Sequence, residues 1–194
     1  MIFRLGLPPD VRCTLRDAQR VTFNLVRLQV IATALGVLVL LPILYFLWGH
    51  FFANDVIFRL ATDVTSVTQP LQFIGLMIAT TALHELCHLI AHPRFGLSDQ
   101  SYVGIDKKSG MPYVMYNGVM SFTRFIVTGL APIAVLSIGS LGLALLYPGT
   151  ASYLALISLF NIVGAGGDVI IIGVTWWRAP RNAYIQREYF GLLP

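Results

Sequence analysis

Four apolar runs, about Gln29–Trp48, Leu71–His92, Phe125–Tyr147 and Ser152–Trp177, leave this chain little choice of fold. Each is long enough to cross a hydrocarbon core of about 30 Å, which takes roughly 20 helical residues. Backbone inside such a core has no water to bond to, so each run is predicted to be a helix that satisfies its own N–H and C=O groups. Only 11% of the 194 residues are charged and 56% are hydrophobic, against a charged share of about 25% in soluble domains. The expected fold class is an all-α polytopic membrane protein with about four transmembrane helices and a small β-hairpin between the second and third.

The basic residues orient it. Arg4, Arg12, Arg16, Arg20 and Arg27 precede the first run, Arg94, Lys107, Lys108 and Arg124 lie between the second and third, and Arg178, Arg181 and Arg187 follow the fourth. Of the 13 lysines and arginines only Arg59 falls on the other side. Positive side chains are retained in the cytoplasm, so both termini and the middle loop are expected there. The net charge of +4 suits a lipid bilayer with anionic headgroups and needs no nucleic acid. The dispersed arginines and the lack of a small-residue cleavage pattern argue against a removed leader, which fits a bacterial plasma membrane.

Residues 1–28 are expected to form a cytoplasmic basic amphipathic arm. Arg12, Arg16 and Arg20 recur at i, i+4 while Val11, Leu15, Val21, Leu25 and Leu28 take other positions, as on a helix lying on the leaflet; a solvated arm is the alternative. Residues 29–177 make the transmembrane domain, and 178–194 a basic, aromatic cytoplasmic tail suited to the interface. The outer loop, with Asp55, Arg59 and Asp63 among Phe51, Phe52, Ile57 and Leu60, has room for a short interfacial helix. Within about 100–118, the β-prone stretches Tyr102–Ile105 and Pro112–Tyr116 flank the turn-forming Asp106-Lys107-Lys108-Ser109-Gly110, which predicts the hairpin. Its edge could hold a peptide in extended form. In the third run Gly129, Pro132, Gly139 and Gly142 read as packing positions.

Chemistry concentrates near the end of the second run, in Ala82-Leu83-His84-Glu85-Leu86-Cys87-His88-Leu89-Ile90-Ala91-His92. This is an HExxH segment. Residues four apart on a helix lie one above the other, so His84 and His88 can offer two imidazoles to one Zn2+ per chain, with Glu85 one step round as general base toward water. His92 continues that face but lies about 12 Å along the axis from His84, too far to share the ion, and reads as a supporting or interfacial residue. Cys87, on the flank, reads as small packing; Cys13, in the arm, has no disulfide partner in prospect.

A third ligand must sit level with the first two. His84 should lie roughly 12 Å and His88 roughly 6 Å inside the cytoplasmic end of the second span, and Asp168 roughly 13 Å inside that of the fourth. Asp168 and Glu85 are the only acidic residues inside any span, so Asp168 is the expected third ligand. Gly164, Gly166 and Gly167 just before it would permit close approach or local unwinding. Asn161, two turns earlier, is placed to bind substrate or a developing oxyanion.

With these residues in hand, the chain resembles the site-2-protease-like family of intramembrane zinc metalloproteases, and in its size the small zincin peptidases of bacterial membranes. The resemblance rests on His84-Glu85-Leu86-Cys87-His88 followed by Ala91, Phe95 and Gly96, and on Asn161 ahead of Asp168. Cys87 stands where the family usually has glycine, and Gly166-Gly167-Asp168-Val169 replaces its proline-containing segment. The resemblance implies zinc held by His84, His88 and Asp168, Glu85 as catalytic base, Asn161 near substrate, and a membrane-anchored protein or peptide as substrate. Two other functions use the same residues: a membrane zinc transporter or sensor, and an inactive adaptor that binds transmembrane helices. The sequence does not set the oligomeric state.

Overall fold

A computed structural model describes residues 1–22, 24–52, 68–107, 110 and 112–193. The interfacial helix expected in the outer loop falls on 53–67, outside the described residues, as do Lys108 and Ser109 of the hairpin turn. In chain order the elements are β1 (Ile2–Leu5), β2 (Arg16–Arg20), α1 (Leu25–Leu35), α2 (Leu41–Phe51), α3 (Thr68–Ala91), β3 (Ser101–Ile105), β4 (Pro112–Tyr116), β5 (Met120–Ser121), α4 (Phe122–Pro132), α5 (Gly139–Leu146), α6 (Ala151–Gly164), α7 (Gly166–Arg178), β6 (Tyr184–Gln186) and β7 (Tyr189–Leu192). π-Helical turns at Gly36–Leu40 and Ile133–Ile138 carry α1 into α2 and α4 into α5.

Among the described residues three helices are long and apolar enough to cross a membrane: Arg27–Phe51, Leu71–Ala91 and Phe122–Leu146. The pair Pro148–Gly164 and Gly166–Arg178 supplies a fourth if a broken helix counts as one span. The fourth run is thus interrupted at Ala165, where glycines on both sides have the poorest helix propensity after proline. Large apolar side chains stand outward on these helices, among them Leu38 (72% exposed), Phe46 (75%) and Ile78 (65%).

The chain divides into two compact units, one of Met1–Leu28, Glu85–Ala131 and Asp168–Pro194, the other of Gln29–His84 and Pro132–Gly167. The first unit contains more β-structure than a hairpin. β3 and β4 do form the expected antiparallel hairpin, in register from Ser101 opposite Tyr116 to Ile105 opposite Pro112. To it β1 adds as a parallel third strand. The join is closed by Gly6 N–H donating to Ile105 O at 2.8 Å and Tyr113 O–H donating to Gly6 O at 2.6 Å. A second sheet runs β2-β7-β6-β5, with β2 antiparallel to β7.

The first residues therefore include two strands, where an amphipathic helix or a solvated arm was expected. A spacing of four is a multiple of two as well as close to one helical turn, so Arg12, Arg16 and Arg20 fit either period. Burial of Leu15 and Val21 at the two ends of β2 favours the strand. The C-terminal segment is not a loose tail either: in β6 and β7, Ile185 and Phe190 alternate inward to join Val21, Met120 and Phe122 in one buried cluster. Gln186 fastens the pieces, accepting from Thr14 N–H at 2.9 Å and donating to Asn117 O at 3.2 Å.

The second unit is helical, with Leu44, Trp48, Leu141, Ala144, Ala151, Ala155 and Ile162 as its core. Its closest backbone approach needs two glycines. A Cβ on Gly36 would stand 2.6 Å from Val163 O, and one on Gly166 would overlap Ala32 O. Backbone cannot swing aside as a side chain can, so Gly36→Ala is expected to lose about 1–3 kcal/mol of stability. The measurement is thermal unfolding in detergent beside Gly142→Ala, whose added Cβ would meet nothing within 4 Å and which should unfold no earlier than wild type.

Candidate metal centre

Helix α3 stops where Pro93 cannot continue it. A helix end leaves its last carbonyls without N–H partners, and α4 supplies them: Thr128 Oγ1 donates to Ala91 O at 3.2 Å and Arg124 Nη2 to His92 O at 2.7 Å. The HExxH segment is thus held at its C-terminal end. The division between the two units falls inside α3, between His84 and Glu85. The helix is unbroken there, so His84 and His88 keep the i, i+4 spacing of a helix face.

The ligand atoms of His84, His88 and Asp168 all lie within 4.8 Å of one another. His88 Nε2 is 3.5 Å from Asp168 Oδ2. That is long for a charged hydrogen bond. It suits two ligands of one tetrahedral zinc, which with bonds of 2.0–2.2 Å stand about 3.4 Å apart. Asp168 lies in the first turn of α7, where the positive end of the helix dipole favours a carboxylate. The break at Ala165 creates that helix start.

Each imidazole is oriented through its other nitrogen. His88 Nδ1 lies 2.8 Å from Thr128 O, an oxygen that can only accept, so Nδ1 carries a proton and, in the neutral ring, Nε2 is the lone-pair nitrogen. His84 Nδ1 lies 2.9 Å from Asn161 Oδ1. The orientation of that amide is set by its nitrogen, which donates to Pro132 O and to Ser137 Oγ, both at 2.9 Å. Asn161 Oδ1 must then accept from His84 Nδ1, which makes Nε2 the lone-pair nitrogen of the neutral ring there too. Such hydrogen bonds are what metal-ligating histidines ordinarily make with their second nitrogen. Two neutral imidazoles and a carboxylate are also a donor set that zinc accepts, and the residues fit the ion.

Asn161 is buried with both N–H groups committed, and its Oδ1 supports His84. Its support extends further than the sequence suggested. Ser137 Oγ donates to Ser158 O at 3.2 Å, Ser158 Oγ donates to Ser137 O at 2.9 Å, and Trp48 Nε1 donates to Ser158 Oγ at 2.9 Å. A chain of hydrogen bonds therefore runs from Trp48 to His84. Sequence reasoning passed over Thr128, Ser137 and Ser158 because Thr128 acts on His88 through its backbone oxygen and all three are ordinary small polar residues in apolar runs. Among the described residues the triad includes neither Cys87, a free half-buried thiol, nor His92, which is buried against Tyr116 with ring centres 5.3 Å apart. Glu85 is half-buried and follows His84 directly.

A family model described as "Putative zincin peptidase" matches residues 77–184, a stretch from within α3 to the start of β6. It contains His84, Glu85, His88, Asn161 and Asp168. No curated protein and no solved structure matches the chain. With more than half of its 194 residues matched, and the whole candidate centre inside the match, the chain belongs to the zincin peptidase family.

Proposed function

We propose that this protein is a zinc-dependent intramembrane endopeptidase of the site-2-protease-like type, cutting a peptide bond near the cytoplasmic leaflet. The observation that carries the reading is the triad of His84, His88 and Asp168, with both imidazoles oriented through Nδ1 and Nε2 as the nitrogen that would ligate. Membership of a zincin family supports zinc as the ion. Zinc, when bound, supplies Lewis acidity, polarising the scissile carbonyl and acidifying water. Glu85 takes the proton from the attacking water and passes it to the departing amine, the work of a general base and then a general acid. His84, His88 and Asp168 hold the charge in place; Asn161 and Thr128 hold the two rings.

The membrane part of the reading rests on the three to four apolar helices and on their exposed leucine, isoleucine and phenylalanine side chains, which a lipid bilayer would cover. Twelve basic residues flanking those helices on one side orient the termini to the cytoplasm of a bacterial plasma membrane. A substrate helix protects its own peptide bonds, so a membrane-anchored protein or peptide must unwind before it can be cut.

The test is to incubate the purified protein in lipid nanodiscs with a pool of single-span peptides and map products by mass spectrometry. Cuts are expected within the span, toward its positively flanked end, and should stop with a zinc chelator and resume with added zinc. Cuts confined to the soluble flanks would overturn the intramembrane part, and chelator-insensitive cutting the zinc part.

A further inference from the structure

Pro132 is fully buried and ends α4 where the π-helical turn Ile133–Ile138 begins. In an α-helix the N–H of residue 132 would bond the carbonyl of residue 128, four places earlier. Proline has no N–H, so Thr128 O has no such donor. That carbonyl is the one at 2.8 Å from His88 Nδ1. Thr128 is also fixed at its other end, its Oγ1 donating to Ala91 O one turn of α3 beyond His88. The released carbonyl is therefore held in place as well as opened.

We infer that Pro132 is a positioning residue for His88: by withholding a helical N–H it keeps Thr128 O available to the His88 ring and so selects the form whose Nε2 carries the lone pair. The inference rests on the reading of His88 as a metal ligand. It gives the third apolar run, which contributes no ligand, a defined part in the centre. An N–H restored at position 132 would point at the same oxygen and compete with Nδ1. His84 serves as an internal control, because its partner Asn161 is held by the carbonyl of residue 132, which any substitution retains.

The experiment uses the full chain in detergent with 15N-labelled histidine, comparing wild type with Pro132→Ala and Asn161→Leu. Ring 15N spectra of metal-free protein report which nitrogen is protonated, and chelator competition gives zinc affinity. In wild type both histidines should be protonated at Nδ1. Pro132→Ala should shift His88 toward a mixture of the two forms, leave His84 as it was, and weaken zinc binding by roughly 10–100-fold, the usual cost of losing an outer partner of a metal-ligating histidine. Asn161→Leu should do the converse, moving His84 alone. An unchanged His88 ring and zinc affinity in Pro132→Ala would overturn the inference, as would the two variants disturbing both rings alike, the mark of general loosening. A wild type with the expected ring forms that takes up no zinc would overturn the metal reading on which the inference rests.

Discussion

Glu85→Gln is expected to abolish peptide-bond hydrolysis while zinc stays bound at about one ion per chain, as His84, His88 and Asp168 would still hold it. Glutamine keeps the size and shape of glutamate but cannot take up a proton at neutral pH. The loss should be on the order of 10²–10⁴ in rate, the range that positioned acid–base groups contribute. Because Glu85 is not one of the three residues whose ligand atoms cluster, the variant separates the base from the ion. Product formation from the single-span peptide pool and zinc by elemental analysis, on the same preparation, make the measurement. Full activity with zinc retained would sink the proposed chemistry. The same variant judges the other two functions: a transporter would still carry zinc into proteoliposomes without Glu85, and an adaptor would still rescue a deletion phenotype.

The helices and the HExxH pair were legible because both are local properties. A run of about 20 apolar residues has few folds open to it in lipid, and i, i+4 on one helix needs no tertiary information. Asp168 was reachable by elimination, as an acid at matching depth, and it does join His84 and His88. What escaped depended on partners distant in sequence. Arg12, Arg16 and Arg20 do not announce that the strand from Arg16 to Arg20 pairs with residues 189–192. Residues 178–194 suggest only an interfacial tail, because the inward alternation of Ile185 and Phe190 rests on two short strands. An amide in a span signals function without naming its neighbour, and the neighbour of Asn161 is His84. The contribution of Thr128 is a backbone oxygen that no side chain reveals; the one clue was a proline four residues later.

Asp168→Ala should strip the chain of zinc under dialysis that leaves wild type with about one ion, by a larger factor than the roughly 10–100-fold cost of losing an outer partner. The reason is geometric. Two histidines on one helix face leave a zinc ion half-coordinated, and a structural or catalytic site needs at least three protein ligands. The third comes from a helix that starts only because the fourth apolar run breaks at Ala165, which puts Asp168 in the first turn of α7 with Oδ2 at 3.5 Å from His88 Nε2. His88→Ala should lose zinc to the same degree, and Asp168→Asn nearly so, since an amide oxygen is a neutral and weaker donor. Elemental analysis of the three variants beside wild type, with circular dichroism to show that the helices persist, decides the matter. Zinc that survives Asp168→Ala while departing with His88→Ala would mean that the third ligand lies elsewhere, and the break at Ala165 would then need a different explanation.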